Sequence, residues 1–327
     1  MHHILHHANC ADGFAAACIA RHALLTQGVP KTDINVQPVN YGWHDQMPLG
    51  KDGILFPGDT VTYLDYTPPQ ETLDAFYAEH GQDAISLTII DHHAKAAVIH
   101  GRSSDTGLPL AHHLIPRFNS WFNLNHSGAS ITWTVFHQQS QSGQSGQSSP
   151  TPRAIELISW RDCGYAFDPL HADDPRTADA FALHAYLFRC LPRTFDAWTP
   201  LLTGDSTVLP TALQIGARLR DIDNEIIKTA AYCPHWLNFH GEEIPAVNGL
   251  DAGLVSDACT ELLRAYPTAP FAASWFIDPK TGNAVYSLRS RRGSSVNVSD
   301  IAASMAPSGG GHPNAAGFST PIPIPFV

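Results

Sequence analysis

Long apolar runs are absent from this sequence of 327 residues. No run approaches the roughly 18 residues that mark a membrane-spanning helix. The stretch "MHHILHHANCADG" at residues 1–13 also lacks the basic region and the cleavage site of a secretory signal. The sequence therefore predicts neither a membrane-spanning segment nor a secretory leader.

Basic residues are scarce as well. Lysine and arginine total 19 against 30 acidic residues, which gives a formal net charge of −11. Long duplex nucleic acid is bound mainly through basic surfaces, so this balance argues against long duplex DNA as a partner. The charge is still compatible with a short anionic ligand that is bound through a metal ion.

Cysteine pairs of the CxxC type are missing too. The six cysteines form no compact framework and lie at positions 10, 18, 163, 190, 233 and 259. Such a pattern is typical of reduced thiols rather than of a disulfide scaffold, and it predicts a cytoplasmic location.

Short β-like runs do alternate with helix-like segments along the first hundred residues. "HILHHA" precedes "ADGFAAACIARHALLTQG", and "TVTYLDYT" precedes "PQETLDAFYAEHG". Apolar runs followed by amphipathic segments that end at glycine are typical of a parallel sheet flanked by helices. At 327 residues and 43% hydrophobic content, the chain is long enough for about two such domains. The predicted fold class is α/β.

Polar side chains follow three of the predicted strands, at Cys10–Asp12, at Asp65 and at Asp91–His93. Ligands of parallel α/β sheets bind outside the carboxyl ends of the strands. Because all three clusters fall at such ends, we expect them to converge on one site.

The rest of the chain divides by composition. Residues 137–153 form a Gln/Ser/Gly-rich tract without periodicity, which predicts a surface insertion without regular structure. Residues 176–232 have a mostly helical pattern, and a second, smaller unit follows from about 233. Its strand candidates are "EEIPAVN", "FAASWFI" and "NAVYSLRS", and it closes with the glycine-rich "SGGGHPNAAGF".

Five motifs in order carry a resemblance to a known family. They are "HxxCxDG" at 7–13, "YLDYTP" at 63–68, "IIDHH" at 89–93, "RDCGYAF" at 161–167 and "GGGHPNAAGF" at 309–318. Together they resemble the DHH superfamily phosphoesterases with a C-terminal DHHA1 domain, such as the oligoribonuclease-like nanoRNases. The resemblance implies a mainly parallel-sheet DHH catalytic domain at 1–190, a helical linker at 191–232 and a smaller α/β DHHA1 substrate-binding domain at 233–327.

Phosphate ester hydrolysis explains why these residue types are needed. Two metal ions about 3.5–4 Å apart can both activate a water and neutralise charge on the phosphoryl group. Carboxylate and imidazole ligands suit Mn²⁺. By resemblance, Asp65 bridges two ions. One ion is held by Asp12, His92 and Asp162, and the other by His7 or His6 together with Cys10.

The resemblance also implies that Asp91 orients the two histidines and that His93 contacts the substrate phosphate. The predicted catalytic residues are thus Asp65, Asp91 and His93. In the second unit, it implies that substrate is bound by Arg289, Arg291, Gly310, Gly311 and His312.

Several residues keep a simpler alternative. Asp65 precedes a Thr-Pro turn and Asp162 follows an arginine, so a turn residue and an ion pair are the competing interpretations. His6 and His7 cannot both face the site, because successive side chains of a strand alternate, and we favour His7.

Two further residues have open roles. Cys10 would be a soft thiolate ligand or a neutral thiol that leaves one ion short of a ligand. Ser127 caps a helix whose free amides could also face the site.

The function that we predict is that of a cytoplasmic, Mn²⁺-dependent phosphodiesterase or phosphohydrolase acting on short nucleotides. Candidate substrates are nanoRNA, short single-stranded ends, linear dinucleotides and 3′-phosphoadenosine phosphate. The alternatives are an inorganic pyrophosphatase and a non-catalytic nucleotide sensor of the same fold. The expected partners are short nucleotides or oligonucleotides and no membrane, and the oligomeric state stays open, a homodimer included.

Overall fold

The structure is a computed structural model. It describes residues 1–8, 10–39, 55–81, 84–104, 106–107, 118–138, 150–204, 207–239, 241–250, 253–279, 281–307 and 309–321. The chain divides into two compact units, Met1–Ile215 and Gly216–Val327. No helix among these residues is long and apolar enough to cross a membrane.

The first unit is built on a parallel sheet. Its strands are β1 His2–His7, β2 Ile34–Val39, β3 Thr60–Leu64, β4 Ser86–Asp91 and β5 Asn119–Phe122. They lie in the order β2-β1-β3-β4-β5, and every neighbouring pair is parallel. Apolar side chains of the central strands, such as Leu5 and Ile89, are buried, as expected for a sheet covered on both faces. The predicted α/β class with a mainly parallel sheet is confirmed.

Helices surround this sheet. They are α1 Ala11–Thr26, α2 Gln70–His80, α3 Gly128–Trp133, α4 Arg153–Asp162, α5 Pro175–Arg189 and α6 Phe195–Leu202. The middle of α1 is almost entirely buried because its alanines let neighbouring elements approach closely. Trp198 and Leu202 of α6 are also buried in this core. Part of the segment predicted as a linker therefore packs into the first unit.

Helix α7, Val208–Tyr232, completes the helical stretch predicted at 176–232. The division between the units at residue 215 falls within α7, and so within 191–232. The Gln/Ser/Gly tract at 137–153 lies largely outside the described residues, which omit 139–149.

The second unit contains a mixed sheet. Its strands are β6 His235–Phe239, β7 Glu242–Asn248, β8 Phe271–Ile277, β9 Ala284–Ser290, β10 Gly310–His312 and β11 Ala315–Thr320. The order is β10-β11-β9-β8-β7-β6, and only β7 and β8 pair in parallel among the described residues. Helices α8 Val255–Ala265 and α9 Val298–Met305 pack on it. The three strand candidates are confirmed as β7, β8 and β9.

Candidate metal centre

The carboxyl ends of β1, β3 and β4 meet at one edge of the parallel sheet. His6 lies opposite Leu64 in the β1–β3 pair, and Leu64 lies opposite Ile90 in the β3–β4 pair. The residues that follow these positions therefore leave the sheet side by side. This register brings His7, Asp65 and Asp91 together, as the sequence pattern predicted.

Asp65 lies at the centre of the resulting cluster. Its carboxylate oxygens are 3.2 Å from Nε2 of His92, 3.5 Å from Nδ1 of His7 and 3.8 Å from Nδ1 of His93. Its backbone adopts the left-handed conformation, with φ 57°, which is uncommon for a residue with a side chain but best tolerated by Asp and Asn. This local backbone strain turns a buried carboxylate toward three imidazoles.

Three groups of potential metal ligands share Asp65; one is formed with Asp91 and His93, and the other two consist of predicted ligands. Of these two, one consists of His7, Cys10 and Asp65, the other of Asp12, Asp65 and His92, and within each group the donor atoms lie within 4.8 Å of one another. Asp162, the last residue of α4, places Oδ2 3.2 Å from Nε2 of His92. The predicted ligands of both ions are therefore found around one common carboxylate.

Unsatisfied acceptors indicate that a cation fits this cluster. Both carboxylate oxygens of Asp65 and Oδ2 of Asp12 are buried without a hydrogen bond in the described part of the chain. Burial, and then the charges of Asp65 and Asp162, raise the pKa of Asp12 well above its ordinary value. Several carboxylates held this close repel one another when ionised, and a divalent ion would remove that repulsion.

The imidazole of His92 is favoured in its charged form, whereas Asp12 is favoured in its neutral form. Burial disfavours the charged form of His92, but contacts with Asp162 and Asp65 outweigh it and raise the pKa of His92 well above its usual range. Burial likewise opposes ionisation of Asp65, but His7 and His92 lower the pKa of Asp65 well below its usual range. The positive charge of the protonated imidazole thus neutralises part of the carboxylate charge. A metal ion bound between these carboxylates would have the same effect.

The choice between the two adjacent histidines follows from the alternation of β1. Nδ1 of His6 is 2.9 Å from the carbonyl oxygen of His7, and its ring packs edge-on against Phe14. His7 faces Asp65 instead. The geometry places His7, and not His6, in the ligand cluster.

Cys10 caps the N-terminus of α1 by position, with its sulfur in the cluster of His7 and Asp65. Burial, followed by the charges of Asp65 and Asp162, raises the pKa of Cys10 well above its usual value. The thiol is therefore protonated unless a metal ion stabilises the thiolate.

Asp91 fixes the positions of His92 and His93 through hydrogen bonds. Its Oδ1 accepts hydrogen bonds from the backbone amides of His92 and His93, at 2.7 and 3.2 Å, and lies 2.7 Å from Nδ1 of His93. Burial opposes ionisation of this carboxyl group, but His93 outweighs it and lowers the pKa of Asp91. An ionised Asp91 therefore fixes the ring of His93 by accepting a hydrogen bond from its Nδ1–H.

The start of α3 also lines the site. This segment lies outside the five sequence motifs. Ser127 caps the helix through the amide of Ser130, and the amide of Ala129 donates to Oδ1 of Asp12 at 3.1 Å. Both alternatives for this segment are therefore observed together. Between them lies Gly128, where an added Cβ would be 2.7 Å from Cβ of Asp65. A run of small residues directly after a cap was the available signal for this close approach.

The residues predicted to bind substrate lie in the second unit. Arg289 donates to the hydroxyl of Ser256 at 2.7 Å and to the carbonyl of Leu288. Arg291 donates to the carbonyls of Leu263, Tyr266 and Ala269, so it holds the end of α8. The substrate role of both arginines stays a prediction.

The glycine motif has a packing reason of its own. A Cβ on Gly309 would be 1.9 Å from the carbonyl oxygen of Ala302 in α9, and one on Gly311 would be 2.4 Å from that of Ala315. Gly310, Gly311 and His312 form β10, so the backbone that carries them is fixed against neighbouring elements. Their contact with substrate also stays a prediction.

Comparisons with known proteins agree with this architecture. No family model matches the chain, and no curated protein matches it either. Among solved structures, the DHH domain of a protein described as a member of a family of ribosomal proteins superposes with a TM-score of 0.56 at 13% identity, covering 97% of this chain and 82% of that one. RecJ from Thermus thermophilus, in complex with Mn²⁺, superposes with a TM-score of 0.50 at 12% identity.

The RecJ match covers 99% of this chain but 53% of RecJ, so this chain corresponds to about half of that protein. At these identities, the superpositions establish the arrangement of helices and strands. The chain therefore has the same fold as that DHH domain and as the matched half of RecJ.

Proposed function

We propose that the protein is a metal-dependent phosphoesterase that acts on short nucleotides. The observation that carries this proposal is that two groups of predicted ligands share Asp65. A single buried carboxylate between two donor sets is the arrangement that a two-ion hydrolase requires. A purely structural polar cluster would instead satisfy the buried Oδ2 of Asp12 with a hydrogen bond.

Different residues of the site would bind the metal ions and contact the substrate. When bound, two divalent ions would lower the pKa of a water and neutralise charge on the phosphoryl group. His7, Cys10, Asp12, His92 and Asp162 would hold them on either side of Asp65. Asp91 accepts a hydrogen bond from Nδ1–H of His93. Burial opposes the charged form of His93, but Asp91 outweighs it and raises the pKa of His93, so the protonated ring would donate from Nε2 to a phosphoryl oxygen.

Manganese is the ion that the ligand set favours in this proposal. Carboxylates and imidazoles in combination suit Mn²⁺. The RecJ structure with the same fold is a complex with Mn²⁺. All six cysteines are free thiols, which supports a cytoplasmic protein.

Short substrates are favoured by charge. The net charge of −11 disfavours binding of a long polyanion. Two metal ions bound at the centre would be enough to neutralise the charge of one phosphodiester group. We therefore include nanoRNA, short single-stranded ends, linear dinucleotides and 3′-phosphoadenosine phosphate in the substrate class. Inorganic pyrophosphate and binding without hydrolysis are the competing outcomes.

A substrate panel tests the proposal. Purified protein would be incubated with Mn²⁺ and 5′-labelled oligonucleotides of two to about 20 residues, a linear dinucleotide, 3′-phosphoadenosine phosphate and pyrophosphate. Release of mononucleotide or phosphate from the shortest nucleotides supports it. Hydrolysis of pyrophosphate alone would identify a pyrophosphatase, and nucleotide binding without turnover would identify a sensor. The Asp65→Asn protein is the control for a contaminating enzyme.

A further inference from the structure

Three polar residues outside the ligand set form a hydrogen-bonded network with Asp91, behind the histidine pair. Thr67 and His100 are buried, with 4% and 3% of their surface exposed. Oγ1 of Thr67 lies 2.5 Å from Oδ2 of Asp91 and 2.9 Å from Nε2 of His100. Nδ1 of His100 lies 2.7 Å from Oγ of Ser120 in β5. Of the four residues, the sequence motifs predicted a role for Asp91 alone.

We propose that Thr67 and His100 are positioning residues of the active site. They hold Asp91 in the one orientation in which its other oxygen fixes the ring of His93. The inference rests on the proposed function, in which His93 contacts the substrate phosphate.

The direction of the network follows from donors and acceptors. An ionised Asp91 can only accept, so the hydroxyl of Thr67 donates to it. Thr67 must then accept from His100, which places a proton on Nε2 of that ring. Burial lowers the pKa of His100 to about 4, so the neutral ring has no second proton, and Nδ1 accepts from Ser120.

Both oxygens of Asp91 are therefore committed. Oδ1 serves the amides of His92 and His93 and the ring of His93, while Oδ2 accepts from Thr67. If Thr67 cannot donate, a buried carboxylate oxygen loses this partner, and the carboxylate gains freedom to rotate. Rotation would move the acceptor of His93 and misalign the imidazole without removing any ligand of the metal centre.

Thr67 also lies two residues after Asp65, on the same strand-to-helix loop. The hydroxyl of Thr67 therefore joins this loop to the carboxyl end of β4, and His100 extends the connection to β5. The network links three adjacent strands of one sheet. Misplacement of a catalytic group by about 1 Å is enough to reduce turnover strongly.

Paired variants test the proposal on the best substrate of the panel. Thr67→Val removes the hydroxyl at similar size, whereas Thr67→Ser keeps it. His100→Leu removes the donor, whereas His100→Gln keeps an N–H group near the position of Nε2. We expect kcat to fall at least tenfold for Val and Leu, with KM and Mn²⁺ affinity within threefold of wild type. Ser and Gln should restore kcat to within about threefold.

His3→Leu is the matched control, because His3 is equally buried in β1 and contacts Asp59 and Asn35 away from this network. A role in folding alone would lower the melting temperature of His3→Leu and His100→Leu alike and leave kcat of folded protein unchanged. That result, or a Thr67→Ser protein as slow as Thr67→Val, would overturn the proposal.

A second readout does not depend on activity. In protein with ¹⁵N-labelled histidine, His100 should be neutral and protonated at Nε2 between pH 6 and 8, in the absence and in the presence of Mg²⁺. A His100 protonated at Nδ1, or at both nitrogens, would contradict the direction of the network. If no ester of the panel is hydrolysed, the proposed function fails, and this measurement alone decides whether the network exists.

Discussion

At the residue scale, Asp65 combines several unfavourable features at one position. It combines a left-handed backbone, complete burial and three imidazole neighbours within 4 Å. Strained conformations of this kind persist where the surrounding structure fixes them, and they concentrate at functional sites. A turn residue, the simpler alternative for Asp65, would be expected to face solvent instead.

Asp65→Asn tests the bridging role. The substitution keeps the size of the side chain but removes the charge that two cations would share, so we expect activity to fall far more than tenfold while circular dichroism is unchanged. Metal content by atomic emission should fall as well. Asp74→Asn, in a surface contact with Gln70 on α2, is the control and should behave as wild type. An Asp65→Asn protein with more than a tenth of the activity, a loss below about 1.4 kcal/mol, would rule out a bridging carboxylate.

At the element scale, the short helix α3 contributes to the site although none of the five sequence motifs includes it. Its first turn brings a backbone amide to Asp12 and its only glycine against Asp65. The strands could be predicted because alternation and apolar runs are local properties. The contact between α3 and two distant loops is not local, so only the unusual run of small residues indicated it.

The same distinction applies to the other elements. That only one of His6 and His7 faces the site could be predicted, because side-chain alternation is a rule of the strand itself. The preference for His7 came from the spacing of the motif that carries the resemblance. The sequence predicted Arg291 as a substrate ligand, although its guanidinium also donates to the carbonyl of Leu263 in the last turn of α8 and to those of Tyr266 and Ala269 after the helix. These contacts depend on the folded chain. Likewise, the sequence predicted α6 as part of a linker, whereas in the structure its Trp198 is buried in the core of the first unit.

Gly128→Ala tests the contribution of α3. The new Cβ would lie 2.7 Å from Cβ of Asp65 and 2.9 Å from Oδ2 of Asp12, so one of these elements must shift by several tenths of an ångström. We expect Mn²⁺ affinity and kcat each to fall at least tenfold, although alanine is the better helix former. Calorimetric titration and steady-state kinetics measure the two effects.

Ser130→Ala on the same helix is its control, since it removes an oxygen near His126 and adds no atom. If Gly128→Ala bound Mn²⁺ as tightly as wild type, α3 would have no part in shaping the centre.

At the scale of the whole molecule, the six predicted metal ligands come from sites as far apart in sequence as His7 and Asp162, and these six belong to the first unit. Folding brings these polar groups together at a cost, since their buried charges repel and several oxygens stay unsatisfied. An ion that binds only the folded form would offset that cost in proportion to its concentration.

We therefore expect Mn²⁺ to stabilise the protein against heat. At a concentration about 100 times the Kd of one site, binding contributes roughly 2.7 kcal/mol to the free energy of unfolding, and a chelator should remove this gain. Differential scanning calorimetry with and without Mn²⁺ measures the shift in melting temperature. The Asp65→Asn protein should show a much smaller shift, because it keeps the other ligands but lacks the shared one. Equal shifts in both proteins would mean that the stabilising ions bind elsewhere, and that the buried carboxylates of the first unit are neutralised by their histidines alone.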